Sequence, residues 1–283
     1  MNGFKHKLTY HIRTLPNIKQ HLIQLDALVD QLFIPAITNG HMCSDDERLL
    51  ISLPVKKGGL AIPIFSSIAE LEFSNSRAAT DQLIKHINDQ VITAQIDSTL
   101  LKNSERNIVK AKEERNDTIL QQLRAKMSPE QLRANDLAMM KGASSWLTIL
   151  PLKAEDYNLN KREFYDSLCL RYRWTPKYLP PVCPCGKSFN VDHAMSCMKG
   201  GFVHSRHDGV RDLLASLLQD VCHDVEIEPP LQALSGEALS GSTNSSDEAR
   251  LDVSARGFWQ RGQRAFFDVR VFNPFAKSHL NQK

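Results

Sequence analysis

Four soft-metal donors fall within fifteen residues of this chain, in "CPCGKSFNVDHAMSC" (183–197): Cys183, Cys185, His193 and Cys197. No other stretch restricts the local fold as tightly. It is broken by Pro184, Gly186 and the turn-formers Ser188, Asn190 and Asp192, and it holds too little apolar surface to fold around a core of its own. The pattern is C-x-C-x7-H-x3-C. His193 and Cys197 are i and i+4, so one helical turn points both the same way. Thiolates and imidazole are the usual tetrahedral donors for zinc, and four of them close a structural site with no position left for water. The one-residue gap in the first pair is tighter than the usual two and implies some strain. His204 competes as a ligand, although Gly200-Gly201 turns the chain before it. The expectation is one structural Zn2+ in a small knuckle.

Metal is preferred over disulfides because of the rest of the chain. Six cysteines in 283 residues make no disulfide scaffold, and four of them lie between Cys169 and Cys197. The N-terminus "MNGFKHKLTYHIRTLP" lacks the apolar core of a secretory signal, and no run approaches the roughly 18 apolar residues of a membrane span. The reading is an intracellular chain, with no membrane partner and reduced thiols. A hydrophobic content of 42% allows a sizeable core, and a net charge of +3 is by itself no argument for a polyanion partner.

Residues 1–150 read as helices. "NIKQHLIQLDALVDQLFIPAI" carries Ile18, Leu22, Leu25, Leu28/Val29 and Leu32 at helical spacing, ending near Pro35. Ser44 with Glu47 is a capping box, as is Ser128 with Gln131 after Pro129. "LPVKKGGLAIP" is a turn around Gly58-Gly59. Residues 97–127 form a long helix of mixed charge, read as a solvated face. Met139 and Met140 are expected to fill core gaps, and "MMKGASSWLTILPL" to pack on the bundle.

Asn160 with Glu163 opens a further helix, on which Phe164, Leu168 and Tyr172 share one face and Cys169 is a buried small hydrophobe. At its end Arg171, Arg173 and Lys177 alternate with Tyr172, Trp174 and Tyr178. Interleaved cations and aromatics suit phosphates and base stacking, which makes Arg171, Arg173, Trp174, Lys177 and Tyr178 candidate nucleic-acid contacts. They suit equally a hydrophobic lid on the next module with snorkelling charges.

Beyond the knuckle, Ser205-x-x-Asp208 is expected to cap a helix with Val210, Leu213/Leu214, Leu217/Leu218 and Val221 on one face. Three strands follow, in "DVEIEPPL", "RLDVSARG" and "RAFFDVRVFNPF", with a flexible Gly/Ser loop at 235–249. Glu226 or Glu228, Asp252 and Asp268 then lie on neighbouring strands, with Arg270 two residues on. Carboxylates so placed can hold Mg2+ for phosphodiester hydrolysis, Arg270 steadying the developing charge. They can equally be solvent-facing charges on an open sheet.

The helix–Asp–x15–Asp-Val-Arg arrangement resembles the PD-(D/E)xK restriction-like nuclease fold. With "CPCGKSFNVDHAMSCMKGGFVHSRHD" before it, the segment is similar to the C-terminal part of non-long-terminal-repeat retrotransposon polyproteins, where a helical linker, a zinc knuckle and a nuclease follow a reverse transcriptase. The resemblance implies three regions: mainly α residues 1–150, a helix plus zinc knuckle over 151–202, and a partial α/β, restriction-endonuclease-like unit over 203–283. It implies a nucleic-acid-binding protein of the nucleus, with DNA or RNA as partner. Its zinc ligands would be Cys183, Cys185, His193 and Cys197, and Asp252 and Asp268 would hold Mg2+ in an endonuclease site with Glu226 and Arg270. An inactive zinc-knuckle interaction module is the alternative. The sequence departs from the family where Leu251 replaces a proline and Arg270 a lysine, and it has no polymerase carboxylate pair. Thirteen residues follow Arg270, so the nuclease core is expected to be truncated, and self-association would be one way to complete it.

Overall fold

The computed structural model describes residues 2–90, 98–155, 157–200, 202–230 and 250–276. They are mainly helical, with one small antiparallel sheet, and they fall into two units, Met1–Pro176 and Lys177–Lys283.

In the first unit, α1 (Asn2–Thr14) is followed by α2 (Lys19–Leu28), which runs through one π-helical turn (Val29–Phe33) into α3 (Ile34–Ile37). The helix therefore ends near Pro35 as expected, two residues past it at Ile37. Pro35 has no N–H to give, and the π turn just before it is where the ladder is rearranged. The chain turns at Thr38, fully buried, whose hydroxyl donates to the Ile34 carbonyl at 2.8 Å. The capping box at Ser44 and Glu47 then starts α4 (Asp45–Ser52).

The Gly-Gly turn folds back over the end of α4, where the N–H groups of Leu60 and Ala61 reach the carbonyls of Ile51 and Leu53. Arg48, buried, donates to the carbonyls of Ile62 and Pro63 and pairs with Asp30. Asp26, also buried, reaches from α2 to accept the N–H groups of Phe65 and Ser66 at the start of α5 (Phe65–Asn88). No side chain of the local N-cap does this.

Next come α6 (Ser98–Arg124), α7 (Pro129–Met139) and α8 (Lys161–Tyr172), the last two opened by the capping boxes at Ser128 and Asn160. The core gathers Ile12, Leu22, Ile34, Ile51, Phe65, Tyr165, Leu168, Cys169 and Trp174. Helix α8 thus belongs with the N-terminal unit, and the division falls after Pro176 rather than at 150. Helix α6 is more than a solvated face. Leu120 and Leu123 are buried against Leu50 and Leu53, and Lys112 and Glu113 pair with Glu72 and Lys56. Met139 packs there, but Met140, Ile149, Leu150 and Leu152 are exposed, contrary to expectation.

In the second unit, a short helix α9 (Val191–Ala194) precedes α10 (Phe202–Gln219) and strands β1 (His223–Ile227), β2 (Val253–Arg256) and β3 (Arg264–Phe267). The sheet is a meander in the order β1-β2-β3, antiparallel throughout. Val253 and Ala255 are fully buried against Ala215 and Leu218 of α10, with Leu214, Val225 and Phe267 beside them. Helix α10 begins at Phe202, so Ser205 lies inside it and is no cap. Its apolar residues split: Leu214, Ala215 and Leu218 pack, whereas Val210, Leu213, Leu217 and the following Val221 are exposed. The Gly/Ser loop at 235–249 lies outside the described residues.

Candidate metal centre

The knuckle is built by two local devices. Val182 pairs with Ser188, Cys183 N–H donates to the Lys187 carbonyl, and Gly186 N–H donates to the Cys183 carbonyl. This closes a tight hairpin, with Gly186 at a φ of 84° that a side-chain-bearing residue rarely adopts. Asn190 then accepts the His193 N–H at 2.8 Å and nucleates α9, and Cys197 N–H donates to the His193 carbonyl. One helical turn therefore brings His193 and Cys197 together, as their spacing predicts.

The donor atoms of Cys183, Cys185, His193 and Cys197 all lie within 4.8 Å of one another. Cys183 Sγ is 3.7 Å from Cys197 Sγ, and Cys185 Sγ is 3.2 Å from His193 Nε2. Zinc–sulfur bonds of about 2.3 Å in a tetrahedron set sulfurs about 3.8 Å apart. The spacing is that of shared metal coordination, and all the cysteines are free thiols. At Cys197 burial works against ionisation, but hydrogen bonds from the Gly200 and Lys199 backbone and the neighbouring thiols outweigh it and lower the pKa. The cluster can hold a metal ion such as zinc. His204 is exposed on α10 and is no member of it.

The carboxylates are arranged differently. Val253 pairs with Phe267, so Asp252 and Asp268 stand opposite each other one position beyond that last rung. Asp252 is largely buried and already engaged: its Oδ2 accepts the Val269 N–H at 2.5 Å and its Oδ1 lies 3.2 Å from His207 Nε2. Burial disfavours the charged His207 ring, but the carboxylates of Asp208 and Asp252 outweigh it and raise its pKa. Asp268 pairs with Arg270 at 2.8 Å. Glu226 is held by Arg264 at 2.7 Å and Glu228 by Arg211 at 2.6 Å. Glu226, Asp252 and Asp268 form no shared donor cluster among the described residues. Nothing in this arrangement lends support to a Mg2+ site, and the expected ligands Asp252 and Asp268 are engaged with Val269, His207 and Arg270.

The basic–aromatic stretch is also corrected. Trp174 is buried, stacked on His41 with ring centroids 4.0 Å apart, and its indole N–H donates to Glu47. The Arg171 guanidinium donates to Ser144 Oγ and to the carbonyls of Val55 and Gly59. Arg173 pairs with Glu130. These three serve the fold of the first unit rather than forming a lid on the module that follows. Lys177 and Tyr178 begin the second unit, with Tyr178 well exposed.

Sequence reasoning passed over the β2–β3 turn, "GFWQRG" (257–262). Trp259 there is 75% exposed, Arg261 is exposed, and Phe258 packs edge-on against Phe267 at 5.0 Å. A tryptophan and an arginine between two turn glycines were the available signal. Compared with known proteins, the chain matches no family model, no curated protein and no solved structure.

Proposed function

We propose that this chain is a retrotransposon-derived nucleic-acid-binding protein, acting in the nucleus, whose zinc-held knuckle orders a nuclease-like unit. The observation that carries the reading is the four-donor cluster, set directly before a helix and three antiparallel strands that bring Asp252 and Asp268 to opposite register positions. Exposed Trp259 and Tyr178 offer faces on which bases stack, and Lys187, Lys199 and Arg261 offer charge for phosphates. Mg2+ bound at Asp252 and Asp268 would activate water and steady the phosphoryl charge. Asp252 would have to give up its bond to His207 to take part, and Arg270 its bond to Asp268.

That prior engagement favours a second reading, an inactive nucleic-acid-binding module in which Asp252 braces β2 against α10. Incubating supercoiled plasmid with the protein and Mg2+, alongside Asp252→Ala and Asp268→Ala, separates the two. Nicking lost in both variants supports the nuclease, and a rate rising with the square of protein concentration would point to a core completed by a second copy. Binding of an oligonucleotide without nicking leaves the inactive module. Absence of both would overturn the reading.

A further inference from the structure

The turn between α3 and α4 brings a second set of metal donors together, in the first unit. A ligand atom each of His41, Cys43 and Glu47 lies within 4.8 Å of the other two. The positions are fixed by the fold. Thr38 Oγ1 contacts the His41 carbonyl at 3.1 Å, His41 N–H donates to the Thr38 carbonyl, and Gly40 N–H donates to the Pro35 carbonyl at 2.7 Å. Glu47 is locked at the third position of α4 by its bond to Ser44 N–H.

A ring of supporting contacts orients the donors. Trp174 stacks on the His41 ring and donates to Glu47 Oε1 at 2.5 Å. His41 Nε2 lies 3.4 Å from Glu47 Oε2. Ligand carboxylates and imidazoles in metal sites are held by outer partners of this kind. Each Glu47 oxygen keeps a further lone pair for a cation.

We propose that His41, Cys43 and Glu47 form a second, three-ligand site for a borderline divalent cation such as Zn2+. One sulfur, one nitrogen and one oxygen suit zinc better than Mg2+ or Ca2+, which take oxygen donors. Three protein ligands leave a fourth tetrahedral position for water or a small ligand. Glu47 and Trp174 also line a cavity of about 380 Å³, although His41 and Cys43 do not. The site differs in kind from the closed knuckle and does not rest on the nuclease reading.

Co2+ titration of the full, reduced chain tests it. Two equivalents are expected, the first with the strong near-ultraviolet charge-transfer bands of several thiolates and the second with those of one. His41→Gln and Cys43→Ser should each remove the second equivalent and leave the first, whereas Cys185→Ser should weaken the first alone. Because Trp174 touches two of the donors, the second equivalent should also quench tryptophan emission in the unmutated chain, which needs no variant to fold. A single equivalent carrying the bands of several thiolates in the unmutated chain, or a second that survives both His41→Gln and Cys43→Ser, would overturn the proposal. Loss of the first equivalent from the unmutated chain would count against the knuckle and not against this site.

Discussion

Glu72 joins three helices through one carboxylate. From α5 it meets Lys112 of α6 at 2.5 Å and Arg13 of α1 at 3.1 Å, with its side chain only 15% exposed. Burial alone would raise its pKa, but Lys112 and then Arg13 reverse the sign and hold it below the ordinary 4.5. A depressed carboxylate stabilises the fold fully above its unfolded pKa and loses that contribution as pH falls through the folded value. Glu72→Gln should therefore cost about 1–2 kcal/mol at pH 7, between the worth of an exposed pair and a buried one. The difference from the unmutated chain should shrink as the pH drops below 4.5. Urea unfolding at pH 7 and in acid would show it, and a pH-independent difference would rule the linkage out. Such partners cannot be read from sequence, since Arg13 and Lys112 stand 59 and 40 positions from Glu72. The roles of Trp174 and Arg171 are hidden for the same reason: their partners in Glu47 and Gly59 are more than 100 residues away. Trp259 shows the converse, because its exposure follows from a turn with glycines at both ends. If nucleic acid stacks on it, Trp259→Ala should weaken single-strand binding by about 1–3 kcal/mol while leaving the salt slope unchanged. An unaltered affinity would remove it from the interface.

Among the elements, helix starts governed by residues three apart were legible. The boxes at Ser44, Ser128 and Asn160 form as their spacing predicts because each is closed by its own turn. The start of α5 was not legible as a cap, since the acceptor of its first N–H groups, Asp26, comes from another helix. The same limit applies to α10. Its periodicity marks a helix, but which half of a broad apolar stripe is covered depends on how much sheet lies beneath. Three short strands reach only Leu214, Ala215 and Leu218. The Gly58-Gly59 pair was legible as a turn but not for what it demands. Gly58 has a φ of 87°, and a Cβ built on Gly59 would stand 1.9 Å from the Leu53 carbonyl oxygen and 2.6 Å from that of Leu50. Backbone cannot retreat from such a contact without breaking the return of the loop onto α4. Gly59→Ala should thus destabilise the first unit by about 3 kcal/mol or more, beyond the usual range for an overpacked site. A change in thermal midpoint of less than a degree would contradict this.

Across the whole molecule, the two units owe their stability to different sources. The first buries a broad set of apolar side chains from helices α1 to α5 and α8 and from the segments between them, Phe65, Ile51, Leu168 and Trp174 among them. Burial on that scale sustains a fold without any metal. The second has a smaller core in Ala215, Leu218, Cys222, Val253 and Ala255, and its knuckle buries little beyond Cys183 and Cys197. Within the knuckle the hairpin and the single turn of α9 are held by a handful of backbone bonds, too few to hold three thiols and an imidazole at bonding separations. Metal coordination is what can repay that ordering, since the binding energy of a structural zinc is folding energy. Removing zinc with a strong chelator under reducing conditions should therefore expose residues 180–202 to protease while the helices of the first unit keep their ellipticity and their cooperative thermal transition. Cys185→Ser should reproduce the effect without chelator, because a cluster short of one thiolate holds zinc weakly. Added Zn2+ should restore protection to the unmutated chain but not to the variant. Protection of 180–202 that persists in the fully demetallated protein would mean that backbone bonds and the ring contacts of Phe189 with His193 and Phe202 suffice, and the knuckle would then be a metal-independent turn.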